Sequence, residues 1–494
     1  MRQYIKEIGA HGIIYTISNV LNKTIGLILI PIYARFLTVS DYGILSIITP
    51  FIATFVVLFS FGLRSSYTRF YFDQTDSDFH RKLLGNTLIT SFIIGTAFFA
   101  VLLLFGQSFL EGLFPGIPYV PFFRYALLIA YFSIYYEILL NVYRTKRKSI
   151  NYGILSVIRF TLVIVLTIIL VVRYKQGALG KVLGEFYVTL GFFIICIILL
   201  LREARFKLDF TLIKNMLGYA LPIVPHMLSA IIIRIAAQQI INKSEGLDAT
   251  GVYNMGFLIG SIISLVAISI NQSWGPLFIK MATQDESNAK KVFSQLTTYY
   301  TLLVLVFSFF LIVFNENIVL LLANEKYMGS IAIVPVIIVS FGLNAIYFVL
   351  ANCIMVNKKQ VRLLPLLTIS SAVINIVANI ILIRIYGIIG AAYAHLITNL
   401  YMVVLGFFAA QKAFHMKYEY RRIVLLFVSV GLSYLCFRLL ESISIHRMYL
   451  EMGIKLLLTL LPVALLFLFR FFKKSELLNL LDIYRKTRIQ YLGK

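Results

Sequence analysis

Charge is what this chain has least of. Only 13% of its 494 residues are Asp, Glu, Lys or Arg, while 60% are hydrophobic. No soluble domain of this length carries that balance, so the chain reads as a polytopic membrane protein. Acids are scarcer than bases, 21 against 45, for a net charge of +24. In a soluble protein that excess would suggest nucleic acid; here its distribution has another cause, and no nucleic acid partner is expected. Three cysteines, Cys196, Cys353 and Cys436, all lie in hydrophobic runs, which excludes a disulfide framework and indicates no metal site. No phosphate-cradling loop of Walker type is present, so ATP does not drive the process directly. HExxH, nucleophile-elbow and CxxC patterns are missing as well. Neither an enzyme nor a cofactor is expected. No small-residue cleavage site follows the first hydrophobic run, and another run comes at once, so the start is not read as a cleaved signal.

What is there is hydrophobic length. An apolar run of ~20 residues crosses a bilayer as a helix. Fourteen such runs are expected, at 10–37, 42–63, 84–106, 121–143, 151–173, 179–201, 215–242, 251–273, 292–314, 330–356, 363–384, 389–411, 423–440 and 450–472. The basic residues sort by side: 31 fall on the termini and even-numbered connections, and 8 on the opposite side. The positive-inside rule then places both termini in the cytoplasm. Anionic lipid contact is a secondary effect of the same charge.

The chain also repeats at an offset of about 210 residues. Gly177-Ala178-Leu179-Gly180 corresponds to Gly387-Ile388-Ile389-Gly390, Asn141 to Asn352, and Asp41-Tyr42-Gly43 to Ala249-Thr250-Gly251. Six spans fit one repeat, so the halves share an orientation, with a site expected between them. The expected division is an N-lobe, 1–214, a C-lobe, 215–422, two further helices, 423–472, and a tail, 473–494. In that tail Leu477, Leu481 and Tyr484 share one face, which fits an amphipathic helix on the cytoplasmic leaflet or a partly disordered tail.

Charges inside spans are costly and normally face a bundle interior or a wet cavity. The first run, residues 10–43, carries a polar stripe of His11, Tyr15, Ser18, Asn22 and Gly26, extended by Asn19 and Lys23. Lys23 faces a cavity or pairs with a buried acid or carbonyl. Glu137 and Arg159 sit at similar depth in spans four and five and read as a structural pair, or else Glu137 titrates in a cavity. Glu185 in span six maps onto His395 in span twelve; pairing with Arg124 or Arg35 is its bland reading. Span seven has Pro222 and Pro225, which invite a kink, then His226, and then a stripe of Arg234, Gln238 and Asn242. Lys23, Arg35, Arg64, Arg159 and Arg234 together make a mainly cationic set that attracts an anion. Arginine grips phosphate through paired hydrogen bonds. Asn19, Asn22, Gln238 and Asn242 suit hydroxyl-rich cargo as polar lining. With no nucleotide site, the energy must come from an ion gradient or from cargo removal. Glu137, Glu185 and His226 are the proton-coupling candidates.

The run PIYARFLTVSDYGILSIITPFIATFVVLFSFGL, residues 31–63, resembles the opening of bacterial polysaccharide repeat-unit flippases of Wzx type, exporters of O-antigen and capsule units in the MOP (MATE-like) superfamily. The likeness rests on a proline, Arg35, a hydrophobic pair, a short polar stretch and Asp41-Tyr42-Gly43. It implies an all-α fold of 14 helices, with two pseudo-symmetric six-helix lobes and two C-terminal helices. It implies a cargo of undecaprenyl-pyrophosphate-linked oligosaccharide, moved to the periplasmic leaflet of the inner membrane by alternating access through a cationic cavity. The implied partners are this lipid-linked oligosaccharide, membrane lipids, a polysaccharide polymerase and a chain-length regulator, with the chain itself a monomer. Only Arg35, Asp41 and Gly43 carry over by motif. Within the superfamily the alternatives are a peptidoglycan-precursor flippase and a multidrug exporter. A basic lumen counts against cationic drugs. A membrane glycan polymerase or ligase needs a large outer loop with Arg or His, and the outer connections near 107–120 and 315–329 are short.

Overall fold

The computed structural model describes residues 30–357, 360–441 and 448–472, and within these the side chains at 226, 229, 230, 232, 272, 273, 276, 280, 283, 448 and 449 lie outside the description. Lys23, Asn19, Asn22 and the tail at 473–494 therefore lie outside the described residues. The described residues form seventeen α-helices and no strand. In order they are α1 Ile30–Phe36, α2 Val39–Ser60, α3 Leu63–Tyr71, α4 Ser77–Leu113, α5 Arg124–Thr145, α6 Ser149–Ile168, α7 Gly177–Glu203, α8 Phe210–Ala220, α9 Ile223–Gly260, α10 Ile262–Gln284, α11 Glu286–Val313, α12 Asn315–Ala323, α13 Ile333–Val356, α14 Leu363–Tyr386, α15 Ile388–Ala413, α16 Tyr420–Glu441 and α17 Met448–Leu468. Eleven helices among them are long and apolar enough to cross a membrane, or twelve if the pair bent by 41° between Gly260 and Ile262 is one span. These match expected spans two to six and nine to fourteen. Spans seven and eight fall on α9 and α10, broken at Gly246 (φ 86°) and again at the bend. The first span lies mostly outside the described residues.

Local chemistry sets the breaks. A capping box opens α2: Thr38 Oγ1 accepts from the Asp41 amide at 3.0 Å, and Asp41 Oδ2 accepts from the Thr38 amide at 3.0 Å. Such a cap is worth about 1 kcal/mol. Phe61 and Gly62, both left-handed (φ 48° and 69°), separate α2 from α3. Leu221 and Pro222 separate α8 from α9, as the prolines suggested. The repeat is visible in the backbone. Gly177 (φ 54°) and Gly387 (φ 64°) turn the chain at the starts of α7 and α15, and three residues later Gly180 and Gly390 let the chain pass against the Leu170 and Leu382 backbones.

Contacts divide the chain into two compact units. One is built from residues up to Ile259 with Ile318–Ile337 and Arg362–Met402; the other comprises Gly260–Asn317, Ile338–Val361 and the chain from Val403 onward. In the first unit α5 and the turn before it form the most enclosed of the described spans, packed on α2 and α7 with Phe123 in the turn and Ala126, Leu127, Ile129, Ala130 and Ile134 in the helix fully buried. By contrast α6 turns Ile150, Ile154, Val157, Ile158, Leu162 and Val165 outward, the pattern of a lipid-facing helix. In the second unit α16 and α17 pack on α11 through Phe309, Val313, Phe437 and Leu458.

The segment from Ala204 to Asp209 is strapped to α4. Asn86 Nδ2 donates to the Lys207 carbonyl (2.9 Å), Asn86 Oδ1 accepts from the Asp209 amide (3.0 Å), and Gly85 leaves room for the Arg205 carbonyl. The Lys82 ammonium (2.7 Å) and the Leu212 amide (2.9 Å) hold the Asp209 carboxyl below the ordinary carboxylate range. A depressed folded-state pKa contributes stability above the unfolded value, ~3.9, and loses it as pH falls through the folded value. Amide exchange at 204–212, corrected for its intrinsic pH dependence, should therefore be protected at neutral pH and accelerate below about pH 4. Asp209→Asn should show the faster exchange at both pH values; equal protection in parent and variant at neutral pH would rule the strap out.

Candidate functional site

The most connected polar structure in the first unit is a ladder between α3 and α5. Glu137, Asn141 and Thr145 recur at four-residue spacing and so line one face of α5; Arg64 and Thr68 do the same on α3. Arg64 Nη1 pairs with Glu137 Oε2. Asn141 Nδ2 donates to the Arg64 carbonyl and to Thr68 Oγ1, both at 2.9 Å, and Thr68 and Thr145 hydroxyls meet at 3.3 Å. The ion pair is about one-third exposed, 35% for Arg64 and 36% for Glu137. The backbone beneath it is fixed: Tyr67 is buried, and Ser66 Oγ donates to the Met216 carbonyl at 2.7 Å.

This corrects the expected Glu137–Arg159 pair. Arg159 lies over the Tyr136 ring (4.6 Å to the centroid), donates from Nη2 to Thr189 Oγ1 at 3.1 Å, and keeps a buried Nε with no partner. Residues 136 and 137 point to different sides of α5, so Arg159 on α6 finds the tyrosine while the acid turns to α3. Glu185 likewise pairs with neither Arg124 nor Arg35. It is bound by Lys181, one turn earlier on α7, at 3.0 Å. Glu185 and His395 each stand eight residues beyond a left-handed glycine, Gly177 and Gly387, so their sequence correspondence is structural as well. Arg35 is exposed at the end of α1.

On α9, Arg234 stacks on Phe257 (5.7 Å) and its Nε is buried without a partner. Gln238 and Asn242, expected as polar lining, are buried: Gln238 Nε2 donates to Asn254 Oδ1 (3.1 Å) and Asn242 Nδ2 to the Pro115 carbonyl (2.9 Å). One further contact joins the two repeats. A Cβ on Gly43 would fall on the Leu247 carbonyl oxygen, and a Cβ on Gly251 on that of Val39. The start of α2 thus crosses the chain after Gly246 at two glycines that correspond in the repeat. Tyr42 meets Tyr327 edge-on beside them (5.7 Å), and Gln239 Nε2 donates to the Leu113 carbonyl (3.1 Å).

Sequence reasoning missed Thr68, Thr145, Tyr136, Thr189 and Lys181, and took Asn141 only as a position of the repeat. For Asn141, Thr68 and Thr145 the signal was present as four-residue spacing after Glu137 and Arg64. For Tyr136 and Thr189 there was none, since aromatic and hydroxyl residues abound in these helices.

Among proteins of known family, the polysaccharide biosynthesis protein family matches residues 8–282, more than half of the chain. The chain belongs to this family. Relatives and solved structures agree with it. The Lsg locus putative protein 1 of Haemophilus influenzae is 22% identical over 418 residues, 81% of this chain and 97% of that protein. The lipid II flippase MurJ in an inward closed conformation is similar in fold, with a TM-score of 0.73 at 15% identity over 92% of this chain and 98% of that one. An outward-facing MATE family multidrug resistance transporter of the MOP superfamily is similar at a TM-score of 0.59 and 14% identity, covering 81% of this chain and 94% of that one. The resemblance read from residues 31–63 is upheld, and this member of the polysaccharide biosynthesis family is a multi-pass membrane protein with the fold of flippases and transporters.

Proposed function

We propose that this protein moves undecaprenyl-pyrophosphate-linked oligosaccharide units from the cytoplasmic to the periplasmic leaflet of the bacterial inner membrane, by alternating access between lobes 1–214 and 215–422, with both termini in the cytoplasm. The observation that carries this reading is the placement of Arg64, Arg159 and Arg234 on helices of a polysaccharide-family chain, each with donors not committed to a buried acid. Arg64 shares a half-open pair, Arg159 and Arg234 rest on aromatic rings, and the last two keep a buried Nε without a partner. Guanidinium groups held this way suit phosphate oxygens. Lys23 and Arg35 complete the set, with Asn19, Asn22, Gln238 and Asn242 as polar companions. Glu137, Glu185 and His226 remain the groups through which a proton would couple, and the first two already face a cation. A polymerase and a chain-length regulator would receive the product, and the chain works as a monomer.

A second cargo, the peptidoglycan precursor, is favoured by the fold match to the lipid II flippase. One experiment separates the two. Alanine at Lys23, Arg35, Arg64, Arg159 or Arg234, at matched protein level in cells whose surface glycan depends on this chain, should reduce glycan display. A lost charged hydrogen bond costs ~1.5–3 kcal/mol, roughly ten- to a hundredfold in affinity. Normal display in all five variants refutes the repeat-unit reading; rescue of cells depleted of their lipid II flippase by the parent establishes the second cargo instead.

A further inference from the structure

The ladder between α3 and α5 fixes a backbone rigidly beneath an ion pair that stays a third exposed. Those two properties are unusual together. Arg64 follows the left-handed break at Phe61 and Gly62, where a helix would otherwise be free to swing. Asn141 removes that freedom by donating to the carbonyl of Arg64 itself (2.9 Å), while Ser66 ties the same turn to α8 through the Met216 carbonyl (2.7 Å). The guanidinium head, in contrast, is held by one carboxylate that is 36% exposed. An arginine fixed at its root and paired at its head with one partly exposed carboxylate is an anion receptor with an anion already in it.

We propose that Glu137 is a built-in competitor for Arg64 that sets the charge threshold of the site, admitting diphosphates and excluding phosphodiesters, and that Asn141 is the residue that positions Arg64 for this exchange. The inference rests on the reading of the cargo as a diphosphate-linked lipid. Its physical ground is an exchange balance. Replacing a carboxylate on Arg64 by another monoanion trades one charge-assisted pair for an equal one and returns almost nothing. A diphosphate brings more charge and more acceptor oxygens to the same five donors, so it wins the exchange. The distinction is needed at this site. Every anionic phospholipid around the protein offers a monoanionic phosphodiester at concentrations no rare cargo can match, and a bare Arg64 would be occupied by headgroups. Specificity against an abundant competitor is built by adding a cost that the wrong ligand cannot meet. Glu137 supplies that cost, and Asn141 keeps Arg64 from relieving it by moving.

The test uses the full chain, purified in detergent free of phospholipid, titrated calorimetrically with inorganic pyrophosphate and with dimethyl phosphate. The parent should prefer pyrophosphate by about tenfold or more, as expected when one charged hydrogen bond separates the two. In Glu137→Gln dimethyl phosphate should gain affinity and the preference should narrow to about threefold or less. Arg64→Gln should weaken pyrophosphate by about tenfold or more. Asn141→Ala should weaken both probes by about three- to tenfold while keeping their ratio; a purely structural role would lower the melting temperature and leave both affinities of the folded protein unchanged. Glu137→Asp, which keeps the charge, guards against misfolding of the glutamine variant and should keep the parent preference. An unchanged preference in Glu137→Gln overturns the proposal, as does a parent that binds both probes alike or neither. If Arg64→Ala abolishes glycan export while Glu137→Gln keeps its selectivity, the competitor role fails alone. If selectivity tracks Glu137 while Arg64→Ala exports normally, the flippase reading fails and the receptor stands.

Discussion

Gly43→Val should cripple the export proposed above and leave the segment around Ala249 open to reagents. The position where a Cβ would be built on Gly43 is taken by the Leu247 carbonyl oxygen, and the reciprocal contact joins Gly251 to the Val39 carbonyl. Backbone cannot yield as a flexible side chain can. Forcing a branched side chain into a close-packed contact costs roughly 1–3 kcal/mol, enough to shift an open–closed equilibrium by about five- to 150-fold. Both sides of this seam lie in the first compact unit, so the conformation that loses is the one in which the two segments touch. Labelling of Ala249→Cys by a membrane-impermeant maleimide, in a background with the exposed Cys436 replaced by serine, should speed up several-fold when Gly43→Val or Gly251→Val is added. Gly43→Ala should show a smaller change of the same sign. Parent-like labelling and parent-like export in both valine variants would sink the seam as a closure.

Arg422→Ala should be the most destabilising single substitution in the second unit. Arg422 is 8% exposed, pairs with Glu419 at 2.8 Å, donates to the Tyr299 hydroxyl at 3.1 Å, and has its guanidinium over Phe471 at 4.4 Å. Glu419 also accepts from Thr298 Oγ1 at 2.9 Å. The cluster fastens the start of α16 and the end of α17 to α11. Removing the cation breaks a mostly buried ion pair, which typically costs 3–5 kcal/mol, and the ring contact is lost as well. Thermal unfolding in detergent should register a clear drop in melting temperature. The double variant with Glu419→Gln should recover part of it, since the carboxylate that lost the Arg422 cation is then neutral. Equal melting of parent and Arg422→Ala would show that the two helices are held by their apolar contacts, Phe309, Val313, Phe437 and Leu458, alone.

Span positions and the repeat were legible because both rest on signals that survive any packing: hydrophobic length, and glycines needed for left-handed turns. Gly177 and Gly387 could be matched from sequence, and the structure gives both a positive φ that favours glycine. Pairings were legible only in part. Depth along a helix can be counted at 1.5 Å per residue, which put Glu137 level with Arg159. Rotation about the helix cannot be counted that way without knowing the neighbour, and it was rotation that gave Glu137 to Arg64. Glu185 shows the same limit from the other direction. Its partner Lys181 lies four residues away on its own helix, a spacing that favours pairing, and not on a neighbouring helix.

The helix α2 gives these separate features a common mechanical frame. It runs 22 residues from Val39 to Ser60, a strut of about 33 Å. The glycine crossing sits on its first turns and the Phe61–Gly62 joint, with Arg64 just past it, terminates the other end. Since α3 is anchored beyond the joint, tilting of the strut would be absorbed at two residues and would not drag Arg64 off its carboxylate. Occupancy of the arginine and closure of the seam are then read at opposite ends of one helix, and Pro50 within it together with the Phe61–Gly62 joint decides how strongly they are geared. Replacing Gly62, which faces the Ala220 carbonyl and the Val224 side chain, would stiffen that gearing without touching either end.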